Sequence, residues 1–156
     1  MKKIIILLFF VSFSATGAGT NSSTDDSAKT SDQIIKLYEL AEKHIDNQSY
    51  DKSLKLLKKL TKREDLGTKR ADIYNLLGFS YRKLENPDLD KSFAAYMMAI
   101  EIDPSHLGAH EYLGELYLMR DQKDKAVIIL KKLDQLAGSN TEEYRELKIA
   151  IDEYQS

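Results

Sequence analysis

Apolar residues recur with the period of an amphipathic helix along most of the chain, most regularly between Ala71 and Pro104. The apolar and small residues of this stretch fall on two helical stripes, separated by a polar segment that contains Pro87. The stripes consist of Tyr74, Leu77, Gly78 and Tyr81, and of Ser92, Tyr96 and Ala99. This pattern predicts a pair of helices that ends at Pro104, with Gly78 where the first helix closely approaches a neighbour.

The same order of small and large residues occurs on both sides of this stretch. Ala41 in the preceding segment and Gly114 in the following segment occupy the position of Gly78. We expect a turn at residues 47–49 within the first unit, and Gly67 marks its link to the second. The predicted repeats cover about residues 34–67, 71–106 and 107–140.

A further helix is predicted at residues 141–154, where Tyr144, Leu147, Ile151 and Tyr154 follow the helical period. We interpret it as a helix that covers the exposed side of the third repeat. Polar residues at the predicted helix starts can accept hydrogen bonds from the first amides. The predicted caps are Ser31 or Asp32 for the first helix, Ser105 for the helix after Pro104, and Asn140 with Glu143 for the last.

The order Tyr74, Leu77, Gly78, Tyr81 on one helix and Ser92, Tyr96, Ala99 on the next resembles the tetratricopeptide repeat. The resemblance implies an all-α, right-handed solenoid of three helix-turn-helix repeats plus a C-terminal capping helix, within a domain at residues 32–156. The run from His106 to Ile151 also resembles small exported tetratricopeptide proteins of Gram-negative bacteria. Relatives of that group often carry cysteines before the last helix, whereas this chain has Gly138-Ser139-Asn140.

Proteins of this family bind peptides in a concave groove lined by the first helices of successive repeats. The resemblance therefore implies a protein-protein interaction scaffold that captures a partner peptide or helix there without covalent chemistry. Apolar anchors with flanking polar groups are typical of such binding. The groove positions of this chain are Tyr38, Glu42 and Ile45 in the first repeat, Asn75, Phe79, Arg82 and Lys83 in the second, and Glu111, Tyr112, Glu115, Leu118 and Met119 in the third.

One subclass of the family holds the C-terminal carboxylate of a peptide with lysine, asparagine and arginine residues at fixed groove positions. At those positions this chain has Tyr38 and Glu42, Leu76, and Gly108 and Tyr112. None of these matches the subclass, so we do not expect that mode of carboxylate binding.

The N-terminus has the pattern of a signal peptide. Lys2 and Lys3 precede an apolar run from Ile4 to Val11, which is followed by small residues between Ser14 and Gly19. The run is about half the roughly 20 residues that a membrane-spanning helix needs, so an uncleaved anchor is the weaker interpretation. We assign residues 1–18 to the signal peptide.

Residues 19–31 are polar and small, and we interpret them as a flexible leader. With the signal peptide removed, the sequence predicts a periplasmic or secreted protein without stable membrane insertion.

The charge balance and the absence of cysteine exclude several other functions. The 25 acidic and 23 basic residues are spread along the chain, so no basic surface for nucleic acid is predicted. Without cysteine, thiol catalysis, thiolate metal sites and disulfides are excluded. Motifs for a nucleophilic serine, a phosphate-binding loop or paired catalytic carboxylates are also missing from the sequence. We therefore expect neither enzymatic activity nor a cofactor.

Three alternatives remain open at this point. His106 and His110 are four residues apart and could present two imidazoles to a metal or small ligand, although no third ligand is evident. The chain could self-associate into a homo-oligomer through the groove or the last helix. It could also be a structural subunit of a permanent envelope complex.

Overall fold

The computed structural model describes the backbone of residues 23–155 and the side chains of residues 31–155. Within this range the chain forms seven α-helices and no strand, as the sequence predicts. The helices are α1 (Ser23–Asp46), α2 (Tyr50–Leu60), α3 (Lys69–Arg82), α4 (Leu89–Ile102), α5 (Leu107–Met119), α6 (Lys123–Ala137) and α7 (Glu142–Glu153).

Consecutive helices pack as hairpins, α1 with α2, α3 with α4 and α5 with α6, and α7 packs against both α5 and α6. The first helices of the hairpins also contact one another, because α3 touches α1 and α5. In the described chain the second helices, α2, α4 and α6, make no such contacts among themselves. The row α1, α3, α5 therefore lies on the inner, concave side of a solenoid, and α2, α4 and α6 form its outer side.

The small residues of the repeats mark the closest helix contacts. A Cβ atom on Gly78 would lie 2.6 Å from Cε1 of Tyr96, so the tyrosine ring fills the space that the glycine leaves. Ser92 donates a hydrogen bond of 2.8 Å to the carbonyl oxygen of Gly78. Gly114 has a different neighbour, since a Cβ there would lie 2.5 Å from Cδ2 of Leu147 in α7. The last helix thus covers the third repeat, as the sequence predicts.

Three groups of buried residues form the core, one at each junction along the solenoid. Leu57 and Ile73 lie in the group between the first two hairpins, and Tyr96 and Leu116 lie in the next. Leu133 and Leu147 lie in the last group, beneath α7. Each helix buries one stripe, and the capping helix ends the series because its outer face is largely polar.

The turns agree with the sequence, but the helix starts do not. Residues 47–49 and Gly67, which has a φ of 53°, lie between helices. The helix α1 begins at Ser23, so the predicted cap at Ser31 or Asp32 is wrong and the predicted leader at residues 19–31 overlaps the helix. Acidic residues 25 and 26 lie near the start of α1, where negative charge favours helix formation.

Two other caps are displaced by one residue. His106, not Ser105, caps α5, with its Nδ1 accepting from the amide of Ala109 at 3.1 Å. The Ser105 hydroxyl instead donates to Asp103 in the preceding turn. For the last helix the cap is Thr141 rather than Asn140, so the predicted capping box is wrong.

The predicted signal peptide at residues 1–18 lies outside the described residues. Among the helices that the structure describes, none has the length and apolar content needed to cross a membrane.

Candidate protein-binding surface

The inner side of the solenoid carries a row of aromatic rings across the junction of α3 and α5. The rings of Phe79 on α3 and Tyr112 on α5 have centroids 5.1 Å apart and are tilted by 44°. Tyr50, at the start of α2, meets the edge of Phe79 at 6.2 Å, and Tyr96 of α4 supports Tyr112 from behind at 6.0 Å. Phe79 and Tyr112 remain partly exposed, so they offer an apolar surface to a partner.

A partly buried ion pair joins the same two helices. Nη1 of Arg82 donates to Oε2 of Glu115, and Arg82 is only 5% exposed. The guanidinium carbon lies 5.6 Å from the centre of the Phe79 ring and 5.2 Å from that of Tyr112. Within the described part of the chain, Nε and Nη2 of Arg82 have no hydrogen-bond partner. We refer to Phe79, Tyr112, Arg82 and Glu115 as the aromatic seam.

Burial and charge alter the acid-base properties of the aromatic seam. Burial opposes the charge on Arg82, but Tyr96 and Glu115 outweigh it and raise the pKa of this guanidinium. Burial also raises the pKa of the Tyr112 phenol, and the neighbouring carboxylate of Glu111 adds to the effect. Burial raises the pKa of Tyr96 to about 12, against the opposing effect of Arg82. At physiological pH the Tyr112 phenol of the seam and the Tyr96 phenol behind it are therefore neutral, while Arg82 stays charged.

The junction of α1 and α3 is polar. Nζ of Lys69 lies 4.8 Å from the ring centre of Tyr38 on α1 and 3.2 Å from Oδ2 of Asp72 on α3. Glu42 lies one turn beyond Tyr38, and burial raises its pKa, with Asp46 and Asp72 adding to the shift. Burial also raises the pKa of Tyr38. We refer to Tyr38, Glu42, Lys69 and Asp72 as the polar seam.

His106 links the polar seam to α5. Because Nδ1 of His106 accepts from the amide of Ala109, its Nε2 must carry the proton, and it donates to Oδ1 of Asp72 at 3.2 Å. This hydrogen bond, aided by Lys69, lowers the pKa of Asp72. His110 is buried, with Nε2 3.0 Å from the carbonyl oxygen of Pro104, to which it donates.

The His106 ring is poorly arranged as a metal ligand. A metal ion needs a nitrogen lone pair, and on His106 the Nδ1 lone pair already caps α5. Among the described residues, no group of three or more histidine, cysteine, aspartate or glutamate side chains could hold a metal ion. The imidazoles at His106 and His110 contribute to the ends and contacts of α5 instead.

The structure brings the predicted groove residues together in part. Tyr38 and Glu42 lie in the polar seam, and Met119 is 47% exposed at the end of α5. Leu118 is 8% exposed and packs in the core group beneath α7, so its prediction as a groove residue is wrong. Ile45 is 5% exposed and is likewise unavailable. Asn75, Arg82 and Glu111 are also buried, whereas Lys83 is exposed with its Nζ 5.6 Å from the ring centre of Phe79.

Sequence reasoning missed Tyr50, Lys69 and His106 as parts of this surface. Tyr50 belongs to a second helix and Lys69 to the first turn of α3, so neither occupies a groove position of the repeat. The contact between Asp72 and His106 leaves no local pattern in the sequence, because the two residues are thirty-four positions apart. Only the stacking of the repeats brings them together.

Solved structures share this architecture. The chain is similar to the first TPR of Spaghetti (RPAP3) bound to the HSP90 peptide SRMEEVD, with a TM-score of 0.64, 16% identity, and coverage of 78% of this chain and 93% of that chain. The chain has the tetratricopeptide repeat fold. It is also similar to the Yersinia enterocolitica type III secretion chaperone SycD in complex with a peptide of the translocator YopD, with a TM-score of 0.64, 20% identity, and coverage of 78% and 88%.

A third similar structure is that of MamA, with a TM-score of 0.64, 20% identity, and coverage of 83% of this chain and 72% of that chain. In sequence, the tetratricopeptide chain is 29% identical over 111 residues to the ETO1-like protein 2 of Arabidopsis thaliana. That match covers 71% of this chain but only 12% of the relative's length. No model of a known protein family matches the chain.

Proposed function

We propose that this protein is an exported, non-enzymatic scaffold that binds a segment of a partner protein on the concave surface formed by α1, α3 and α5. The observation that carries the proposal is the aromatic seam, in which Phe79 and Tyr112 from two successive repeats pack against each other while remaining partly exposed. A partly exposed aromatic pair backed by a charged group is typical of the residues that dominate binding energies at protein interfaces.

The rings would receive an apolar side chain of the partner, while neighbouring polar groups fix its register. Lys83 and Glu115 border the ring pair, and Tyr38 with Glu42 lies one repeat away. A segment lying across the row of first helices would therefore meet an apolar centre with polar groups on both sides. This arrangement favours specific recognition over general adhesion.

The similar solved structures support a peptide as the kind of partner, since those of Spaghetti (RPAP3) and SycD contain bound peptides. The sequence of this chain argues for a different set of contacts. Its positions Tyr38, Glu42, Leu76, Gly108 and Tyr112 lack the basic and amide groups of the carboxylate-binding subclass. We therefore propose binding to an internal segment of the partner rather than to its C-terminal carboxylate.

The experiment is an affinity capture from the protein's own cell envelope with native protein and a Phe79→Ala/Tyr112→Ala variant. The matched control is Met97→Ala/Ile128→Ala, which removes apolar groups that are 42% and 63% exposed on the outer helices α4 and α6. We expect one or more partners, identified by mass spectrometry, to be lost with the aromatic variant and kept with the control. Retention of every partner by the folded aromatic variant would contradict the proposal.

Export is the second part of the proposal, and it rests on the sequence of residues 1–18. We expect the protein in the envelope fraction to lack these residues, which N-terminal sequencing and intact mass would detect. A full-length chain in the cytosolic fraction would contradict export. It would not bear on the proposed binding surface.

The outer helices favour a second candidate, in which copies of the chain associate or the chain is a structural subunit of an envelope complex. Met97, Met98 and Ile102 are exposed on α4, and Ile128 is exposed on α6. Exposed apolar groups on one side of a solenoid can form a protein contact. Sedimentation over a wide concentration range distinguishes the cases, since a strict monomer excludes self-association.

A further inference from the structure

The concave surface carries acidic groups on both sides of its aromatic centre. On the α1 side, Asp46 and Asp72 lie close enough to Glu42 that both raise its pKa. On the α5 side, Glu111 and Glu115 both raise the pKa of Tyr112. Three basic residues of this surface each have an acidic or aromatic neighbour. They are Lys69 beside Asp72, Arg82 beside Glu115, and Lys83 beside Phe79.

A second observation concerns Asn75 on α3, the helix between α1 and α5. Asn75 is 8% exposed, and a Cβ on Gly108 of α5 would lie 3.4 Å from its Nδ2. Its Oδ1 is buried and has no hydrogen-bond partner in the described part of the chain. An unpaired buried acceptor costs stability, so a donor supplied by a ligand would repair a defect of the free protein.

We propose that the concave surface is built for a basic partner segment, one that presents lysine or arginine side chains on both sides of an apolar or aromatic residue. This inference rests on the proposed function and specifies the chemistry of its partner. The apolar residue packs on Phe79 and Tyr112, and one basic side chain lies beside Glu42. The other lies beside Glu115, whose side chain is 20% exposed, and the buried Glu111 adds to the negative charge there. Asn75 accepts a hydrogen bond from an N–H group of the same segment.

Charge complementarity is the reason to prefer a basic segment over an acidic or neutral one. An acidic segment would bring like charges against Glu42 and Asp46, where burial already opposes the charged form of Glu42. The bases nearby cannot compensate fully, because Arg82 is directed to Glu115 and Lys69 to Asp72. A basic segment offsets the effect of Asp46 and Asp72 on Glu42 as it binds.

The test uses two labelled amphipathic peptides with the purified protein. In one, lysine alternates with leucine and phenylalanine, and in the other glutamate replaces every lysine. Fluorescence anisotropy at low and high ionic strength gives their dissociation constants. We expect the lysine peptide to bind at least about tenfold more tightly than the glutamate peptide, with a preference that shrinks as salt screens the charges.

Matched variants separate specific contacts from the net charge of the protein. Glu42→Gln/Glu111→Gln changes one carboxylate in each acidic group, and Glu101→Gln/Asp134→Asn makes the same change in charge on the exposed outer helices. We expect lysine-peptide binding to weaken about tenfold in the first variant and to change less than about twofold in the second. If the first variant fails to fold by thermal melting, Glu42→Gln/Asp46→Asn replaces it.

Asn75→Leu provides an independent reading. Because the substitution removes an unpaired acceptor, we expect the melting temperature to stay the same or rise. We expect the lysine peptide to bind about fivefold more weakly. If Glu42→Gln/Glu111→Gln and Glu101→Gln/Asp134→Asn weakened binding of the lysine peptide equally, net charge alone would explain the binding. That result would overturn the inference.

Tighter binding of the glutamate peptide would also overturn the inference. If that binding were lost in Phe79→Ala/Tyr112→Ala, the concave binding site itself would stand. If neither peptide bound, the proposed preference for basic segments would be overturned. The affinity capture from cells tests the proposed function separately.

Discussion

The two junctions on the concave surface are built from different kinds of interaction, although both join the first helices of neighbouring repeats. At the α3–α5 junction, Arg82 is 5% exposed and lies between two aromatic rings and Glu115. At the α1–α3 junction, Lys69 and Asp72 have side chains that are 47% and 36% exposed. The difference indicates that the aromatic seam fixes the geometry of the surface, while the polar seam adjusts its charge at little structural cost.

The largest expected effect comes from removing the cation of the aromatic seam. Arg82→Met leaves Glu115 without its partner and should lower the free energy of unfolding by about 3 kcal/mol. The matched change at the polar seam, Lys69→Met, should cost less than about 0.5 kcal/mol because its ion pair is solvated. Urea unfolding measures both, and equal costs would remove the distinction between the seams.

A smaller effect is expected from the glycine behind the aromatic seam. In Gly78→Ala the new methyl group meets the ring of Tyr96, which is fully buried and supports Tyr112. We expect a loss of about 1–2 kcal/mol, although alanine alone favours a helix by about 1 kcal/mol. Gly108→Ala is the control, because its Cβ would meet Asn75 only at 3.4 Å. A stabilising Gly78→Ala would show that Tyr96 can move away freely.

Asp72 should give the polar seam a measurable dependence on pH. His106 lowers the pKa of Asp72 in the folded protein, so its carboxylate stabilises the fold above the pKa of the unfolded chain, near 4. That stability is lost as the pH falls through the folded pKa. Asp72→Asn should therefore cost less than about 1 kcal/mol at neutral pH and nothing at strongly acidic pH. A cost independent of pH would contradict the ionic origin.

Glu42 should change the stability with pH in the opposite direction to Asp72, and its effect should be the smallest of the four. Burial raises its folded pKa, so the folded protein binds the proton more tightly and loses stability as the pH rises from the unfolded pKa through the folded one. Glu42→Gln should therefore be neutral or slightly stabilising at neutral pH, with no gain at acidic pH. Thermal melting of Glu42→Gln and Asp72→Asn across the same pH range compares the two directly.

The helical period predicted the fold well, because every repeat buries the same small and large positions. Gly78 and Gly114 illustrate the limit of that reasoning. Both occupy the same repeat position, yet Tyr96 of the same hairpin fills the first space and Leu147 of α7 fills the second. Spacing identifies a close contact, but the length of the available side chains decides which helix makes it.

The candidate surface was predictable only in outline. The period placed Phe79 and Tyr112 on the inner side, but it could not show that Leu118 turns into the core beneath α7. Caps were also displaced because backbone angles and competing partners decide them. Ser105 is engaged by Asp103, which leaves the His106 ring to accept from Ala109.

The measurement that tests the central claim most directly is site-specific photocrosslinking in the protein's own cells. A photoreactive phenylalanine derivative replaces Met119 at the concave surface or Met97 on the outer helix α4, two residues of similar exposure, 47% and 42%. Binding in the groove predicts a crosslinked partner of defined mass from position 119 that disappears in Phe79→Ala/Tyr112→Ala. A crosslink from position 97 alone, insensitive to the aromatic substitutions, would contradict the account.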